Sequence, residues 1–402
     1  PYLGAEWTPN ILGFYRGEGK LPNAFTTHYA DGGLVGALLK EETDIPFTFT
    51  GHSLGAQKMD KLGVTPENLA EIDAQYHFAR RITAERVSMN HAGRVIVSTN
   101  QERMEQYAHR AYRGALSPGN DAHFAVVPPG VNRRVFSPIP EADDAAIGTR
   151  IQAALERDIP EGRREFPLVV ASSRLDSKKN HMGLVRAFAL SQDLRASANL
   201  AIVMRGLEDP LRQYETLSKG ERTIMDENTV QKTDRDLWGK VTAFPLISQP
   251  ERAAAYRWLA GYNSVFALTA LYEPFGLAPL EAMSCGLPAV VTQNGGPSES
   301  LREGGREFGV LVDPSDPDDI ARGLLQVLKS KAAWEQYHEA GMERVLSRYT
   351  WERTAEGYLN VIEDMLRAAA GDGELPISRY FTDPTPDTDV PLADLAALYF
   401  KS

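Results

Sequence analysis

The chain has 402 residues, 43% hydrophobic and 24% charged, with 43 basic against 54 acidic side chains and a formal net charge of −11. That length predicts two to three domains of roughly 150 residues; the composition excludes wholesale disorder, a collagen-like fibre and a disulfide scaffold, and the acidic balance argues against nucleic-acid or anionic-membrane partners. The single cysteine, Cys285, rules out an intrachain disulfide and a four-cysteine zinc site, no apolar run approaches the roughly 20 residues of a membrane span, and the start at Pro1 carries no basic, apolar leader, so cytoplasmic residence is the expectation.

Taken in chain order, Tyr2–Arg16 reads as a helix. Short apolar runs then alternate with longer helical patterns, which predicts α/β layers built on parallel strands. In the first half the strands are Ala24–Thr27, Pro46–Thr50, Arg94–Ser98 and His123–Val127, with helices at Gly32–Lys40 and over the long stretch Asn68–His91. The sequence Pro128-Pro129-Gly130 punctuates this half. A charged, helix-like connector covers Glu141–Arg164. The second half supplies strands at Pro167–Ala171, Ala198–Met204, Lys240–Phe244, Ser264–Ala267 and Ala289–Thr292. Its helices fall at Met182–Ala189, Gln249–Ala260, Leu277–Ser284 and Pro297–Glu303, and a last pattern runs from Trp351 to about Ala370. The domains so predicted are residues 1–139, 140–345 and a C-terminal helical segment 346–402.

Several loops carry candidate chemistry. Gly51-His52-Ser53-Leu54-Gly55 follows a strand and fits the G-x-S-x-G nucleophile elbow of hydrolases. The bulky Gln57-Lys58-Met59 that comes next, and the absence of a late Asp–His pair, argue against Ser53 as a nucleophile. The loop Thr269–Gly276 ends a strand and opens a helix; Gly276 frees the backbone, so the unpaired amides of that helix N-terminus suit a diphosphate. Glu281, one to two turns inside, suits a ribose diol. Alone, this segment reads equally well as an ordinary strand–loop–helix with solvated glutamates. Asn294-Gly295-Gly296 would let backbone approach a ligand or form a plain turn. Arg174 and Lys179 leave a strand's C-terminal end, where open α/β sheets bind ligands, and two fixed cations there would stabilise a departing phosphate. In the first half, Tyr29, Lys58, Arg80 and Arg81 are candidates for holding a phosphate, against the commoner fate of solvated surface residues.

Glu273 and Glu281, with seven residues between them, resemble the E-x7-E motif of retaining glycosyltransferases with two facing Rossmann-like domains. The stretches THYADGG, FTFTGHSLGAQKMDKL, RRITAERV, VVPPGVN, SSRLDSKKNHMGLVRAF and SVFALTALYEPFGLAPLEAMSCGLPAVVTQNGGP are similar to the sucrose-phosphate synthases of bacteria and plants, and the resemblance covers nearly the whole chain. The implied fold is GT-B, two doubly wound α/β domains across a cleft, with the C-terminal helices crossing back to the first. The implied reaction moves glucose from UDP-glucose to fructose 6-phosphate with retention, giving sucrose 6-phosphate and UDP. By resemblance the catalytic set is His52, Arg174, Lys179 and Glu273, and the donor set is Ser53, Arg205, Phe275, Gly276, Leu277, Glu281, Asn294, Gly295 and Gly296. Tyr29, Lys58, Arg80 and Arg81 are implied at the acceptor phosphate. No cofactor is implied as required; Mg2+ enters only as a stimulant, with no metal site read from the residues. A sucrose-phosphate phosphatase is implied as a partner.

The chain departs from that pattern at its start. The family opens on a strand and a Gly-Gly loop, and neither precedes Tyr2–Arg16, so the expectation is a truncated first domain, either a fragment of a longer chain or a reduced domain, with low or no transfer. The alternatives are a mannosylfructose-phosphate synthase using GDP-mannose, decided by base contacts near Arg205 and Phe244–Ile247, and a nucleotide-sugar-binding fragment with little activity.

Overall fold

The computed structural model describes residues 4–203, 237–368, 373 and 375–400. Two compact units emerge, Pro1–Pro128 with Ala355–Ser402, and Pro129–Thr354. The sequence-based boundary at residue 139 lies too late. Val131 donates its amide to Tyr349 O, and a side chain at Gly130 would strike the Thr350 backbone, so this stretch belongs to the second unit.

In the first unit, four strands, β1 (Phe25–His28), β2 (Phe47–Thr50), β3 (Arg94–Val97) and β4 (Phe124–Val126), pair in parallel in that spatial order. Phe47, Phe49, Val95, Val97 and Phe124 share one core with the helices at Tyr29–Thr43 and Phe78–His91. Gly33 lets those helices and β2 meet; a Cβ there would stand 2.4 Å from Ser88 Oγ and 2.6 Å from Phe49. The helix Trp351–Arg367 meets the same sheet through Tyr358, which pairs with Thr50 Oγ1 at 3.1 Å, Gly357 on Val127 and Met365 on Gly93.

The second unit is built on six parallel strands: β5 (Leu168–Ser172), β6 (Asn199–Val203), β7 (Val241–Phe244), β8 (Val265–Leu268), β9 (Ala289–Thr292) and β12 (Val310–Val312), in the order β12-β9-β8-β5-β6-β7. A two-stranded hairpin, β10 (Arg302–Glu303) with β11 (Arg306–Glu307), lies outside that sheet. Strand side chains alternate between two cores. Leu168, Val170, Phe266, Leu268 and Val291 lie in one, Val169, Ala171, Val265, Ala267 and Val290 in the other. Burial on both faces explains why these strands read as unbroken apolar runs.

The nine predicted strands are present to within a residue or two, save that Met204 lies outside the described residues. The predicted helix Asn68–His91 is two, Leu69–Tyr76 and Phe78–His91, broken at His77 with φ 54°. The Asp73 carbonyl takes the His77 amide at 2.7 Å and its carboxylate the Ala79 amide at 2.7 Å, which caps the break without Gly or Pro. Pro297–Glu303 shortens to Pro297–Ser300 before β10 begins. β12 and the helices Pro317–Leu328, Lys331–Arg348 and Leu392–Phe400 went unpredicted. Among the described residues no helix is long and apolar enough to cross a membrane.

Candidate active site

In the first unit the chemistry gathers where β1 and β2 end side by side. His28 Nδ1 and His52 Nε2 lie 2.8 Å apart with the rings stacked, and the exposed Tyr29 ring rests 4.8 Å from His52. Both Tyr29 and His52 have positive φ, 59° and 55°. A contact of this length between two imidazoles needs one N–H and one bare nitrogen, so at least one ring is neutral. Burial lowers both pKa values, and the neighbouring His28 lowers that of His52 further. His28 carries no role in the sequence pattern, and the signal that could mark it is its place at the strand end beside the GHSLG loop.

The elbow resemblance at Ser53 dissolves here. The positive-φ residue is His52, and Ser53 Oγ meets the Arg81 guanidinium at 3.4 Å rather than a histidine. Arg81 also donates to Ser53 O at 2.7 Å and to Glu85 at 2.9 Å. Lys58 lies over the Tyr76 ring, 4.1 Å from its centroid. Arg80 is turned elsewhere. It grips Asp389 through two hydrogen bonds of 2.8 and 2.7 Å and lies over Tyr380, so its charge anchors the C-terminal segment.

In the second unit the loops after β5, β8 and β9 interlock. Lys179 Nζ donates to Glu273 Oε2 at 2.6 Å, with both side chains largely buried. Leu271 N donates to Lys178 O at 2.9 Å, which ties the β5 loop to the β8 loop. Arg174 is exposed on that β5 loop. The Glu273 and Asn294–Gly296 backbones pair through Glu273 N to Asn294 O at 3.1 Å and Gly296 N to Glu273 O at 3.0 Å. Asn294 Nδ2 donates to Leu271 O at 3.0 Å. The two glycines therefore serve loop-on-loop packing: a Cβ at Gly295 would lie 2.1 Å from Glu273 O, and one at Gly296 2.6 Å from Phe275 Cα.

Gly276, at φ 91°, opens the helix Leu277–Ser284, and no side chain caps it. Among the described residues nothing takes the amides of Leu277 and Ala278, which are left for a ligand or solvent, while Pro279 has none to give. Phe275 is buried against Tyr349, and Leu277 is partly exposed. Glu281 is mostly buried, with the Arg252 guanidinium 3.8 Å away; burial raises its carboxyl pKa and Arg252 opposes that. Arg252 was missed, since nothing local marks an arginine on one helix as the neighbour of a glutamate on another. Arg205 lies outside the described residues. Among those residues no group of three His, Cys, Asp or Glu side chains is placed to hold a metal ion.

The arrangement of the second unit is suited to an anionic leaving group: a cation held by a carboxylate, a second exposed cation, and an uncapped helix start with a carboxylate beyond it. Residues 154–344 match the family model for glycosyl transferases group 1, and residues 10–157 that for the sucrose synthase first GT-B domain. Among solved structures the chain resembles a sucrose-phosphate synthase from Thermosynechococcus elongatus, with 26% identity and a TM-score of 0.61 over 90% of this chain and 78% of that one. It shares its fold with Anabaena Alr3699/HepE, solved in complex with UDP, with 16% identity and a TM-score of 0.62 over 89% of this chain and 81% of that one. The class is thus a GT-B glycosyltransferase, a hexosyl-transferring enzyme with two Rossmann-like domains.

A probable sucrose-phosphate synthase from Thermosipho melanesiensis is 38% identical over 90% of this chain and 74% of its own length. The Zea mays sucrose-phosphate synthase is 33% identical over 87% of this chain. The chain belongs to the sucrose-phosphate synthase family. It spans about a third of the length of the plant relatives it matches.

Proposed function

We propose that the chain transfers glucose from UDP-glucose to fructose 6-phosphate with retention, forming sucrose 6-phosphate and UDP. The observation that carries this reading is the Lys179–Glu273 contact of 2.6 Å set into the loop that leads to the uncapped helix start at Gly276. Lys179, Arg174 and the Leu277 and Ala278 amides would take up charge as the bond from the anomeric carbon to the UDP phosphate oxygen breaks. Glu273 would hold Lys179 in place and meet the glucose hydroxyls. Glu281 would accept from the ribose diol. The fructose hydroxyl would attack on the face that UDP leaves, its proton passing to the departing phosphate oxygen.

On the first unit, His52 would stand beside the transferred sugar, with its proton position set by His28. Arg81, Lys58 and Tyr29 would hold the acceptor phosphate; Arg80, committed to Asp389, is left out of that set. The test is calorimetric titration with UDP, UDP-glucose and GDP-mannose, followed by UDP release on adding fructose 6-phosphate. Binding of the uridine ligands alone, with acceptor-dependent UDP release, is expected. Selective binding of GDP-mannose would move the reading to mannosyl transfer, and no nucleotide binding by folded protein would overturn it.

A further inference from the structure

Within the first unit, one carboxylate is wholly buried and none of the roles proposed above uses it. Glu85 lies on the helix Phe78–His91 with 0% exposure. Both of its oxygens accept the Gly55 amide, at 2.9 and 3.0 Å. Arg81 Nε donates to it at 2.9 Å, and Tyr112 Oη at 2.5 Å. Tyr112 Oη also accepts the Ala56 amide at 3.1 Å, so its own proton is directed to Glu85. Among the described residues, each of these hydrogen-bond partners of the carboxylate is a donor.

These contacts converge on a single backbone segment. Tyr107 Oη accepts the Gly51 amide at 2.9 Å, and Arg81 Nη2 donates to Ser53 O at 2.7 Å. Four backbone groups between Gly51 and Ala56 are thus held by side chains from elsewhere in the unit. The segment they hold is the one that carries His52 at φ 55° against His28. Gly55 has no side chain to interfere: a Cβ there would stand 3.1 Å from Arg81 Cδ and Nε. A fully buried carboxylate is costly unless every lone pair is used, and an apolar residue would fill the helix interface at less cost.

We propose that Glu85 is a positioning residue for the transfer reaction: with Tyr112 it fixes the Gly51–Ala56 segment, which carries His52, and orients the Arg81 guanidinium on Ser53. The proposal rests on the readings proposed above, of His52 beside the transferred sugar and of Arg81 at the acceptor phosphate. Glu85 itself touches no reacting atom.

The test is Glu85→Gln, which keeps the shape but turns one acceptor into a donor facing other donors. Steady-state kinetics with UDP-glucose and fructose 6-phosphate should show kcat/KM for the acceptor falling about 100-fold, the size of effect a misplaced reacting group produces. UDP affinity, which belongs to the second unit, should stay within about twofold of wild type. Hydrogen exchange of the peptide covering residues 51–56 should become at least about tenfold faster, with peptides of the second unit unchanged. Wild-type acceptor kinetics in the variant would overturn the proposal, and so would a parallel loss of UDP affinity, which would signal general damage. If the wild-type chain itself makes no product, the transfer reading fails, and exchange alone decides: faster exchange at 51–56 supports Glu85 as the clamp, unchanged exchange overturns it. Should the variant not fold, Tyr112→Phe removes only the Glu85 and Ala56 contacts and is read in the same way, with about a tenfold loss expected.

Discussion

Replacing Gly295 with Ala tests the interlocked loops of the second unit most directly. Two costs can be read from the geometry. The backbone sits at φ 99°, outside the region that a side chain tolerates, which costs about 1–3 kcal/mol. The new Cβ would then lie 2.1 Å from Glu273 O, so one of the two loops must retreat by about an ångström. That movement breaks the bonds from Glu273 N to Asn294 O and from Gly296 N to Glu273 O, each worth about 0.5–1.5 kcal/mol. The total is about 2–6 kcal/mol. For a unit of this size, at roughly 2–4 °C per kcal/mol, melting should fall by about 4–24 °C. Any part of the strain relieved by local retreat instead moves Glu273 away from Lys179, and should appear as weaker donor binding. Thermal melting and UDP calorimetry on the same preparation read both. A variant that melts within about 1 °C of wild type and binds UDP equally well would refute the reasoning, because neither outlet would have been used.

Three further outcomes follow from individual contacts. His181 is buried beside Ser173 Oγ, and burial, helped by Lys179, lowers its pKa to about 4 from 6.5. Below pH 6.5 the unfolded chain takes up a proton that the folded chain refuses, so stability is full above pH 6.5 and declines by roughly 3 kcal/mol as pH falls through about 4. Denaturant titrations of wild type and His181→Asn across that window should show the decline in wild type and a flatter profile in the variant. If Glu281 accepts from the ribose as proposed, Glu281→Ala should weaken UDP binding about 10–100-fold, the loss of one charge-assisted hydrogen bond of about 1.5–3 kcal/mol; calorimetry showing unchanged affinity would overturn that role. Gly33→Ala places a methyl within 2.4–2.6 Å of Ser88 and Phe49, an overpacking cost of about 1–3 kcal/mol that should lower the first unit's melting temperature and leave UDP affinity intact.

The features legible from the amino-acid order are those that neighbours along the chain decide. Buried strands appear as unbroken apolar runs, and β9 was bounded correctly from Ala289 to Thr292 because Pro288 and the Asn294-Gly295 turn flank it. Gly276 and Gly286 bracket the helix Leu277–Ser284, and both adopt positive φ. The helices Pro317–Leu328 and Lys331–Arg348 were missed although the signals were present: Asp316 and Ser330 each cap a helix start, the first with Pro317 beside it. The break at His77 had no such mark, because Asp73 makes it through hydrogen bonds to residues four and six positions on.

What the tertiary structure alone decided is which residues of distant order stand together. Parallel pairing sets the ends of β1 and β2 side by side, and only that brings His28 within 2.8 Å of His52. Glu85 sits thirty residues beyond the segment it holds, and Tyr112 still further, so no spacing rule connects them. Arg80 and Arg81 are adjacent and chemically identical, yet one anchors Asp389 and the other reaches Ser53. Successive positions on a helix point about 100° apart, so neighbours in sequence meet different surroundings. Sequence carries that rotation, but which partners wait on each side is set by the packing of the whole unit.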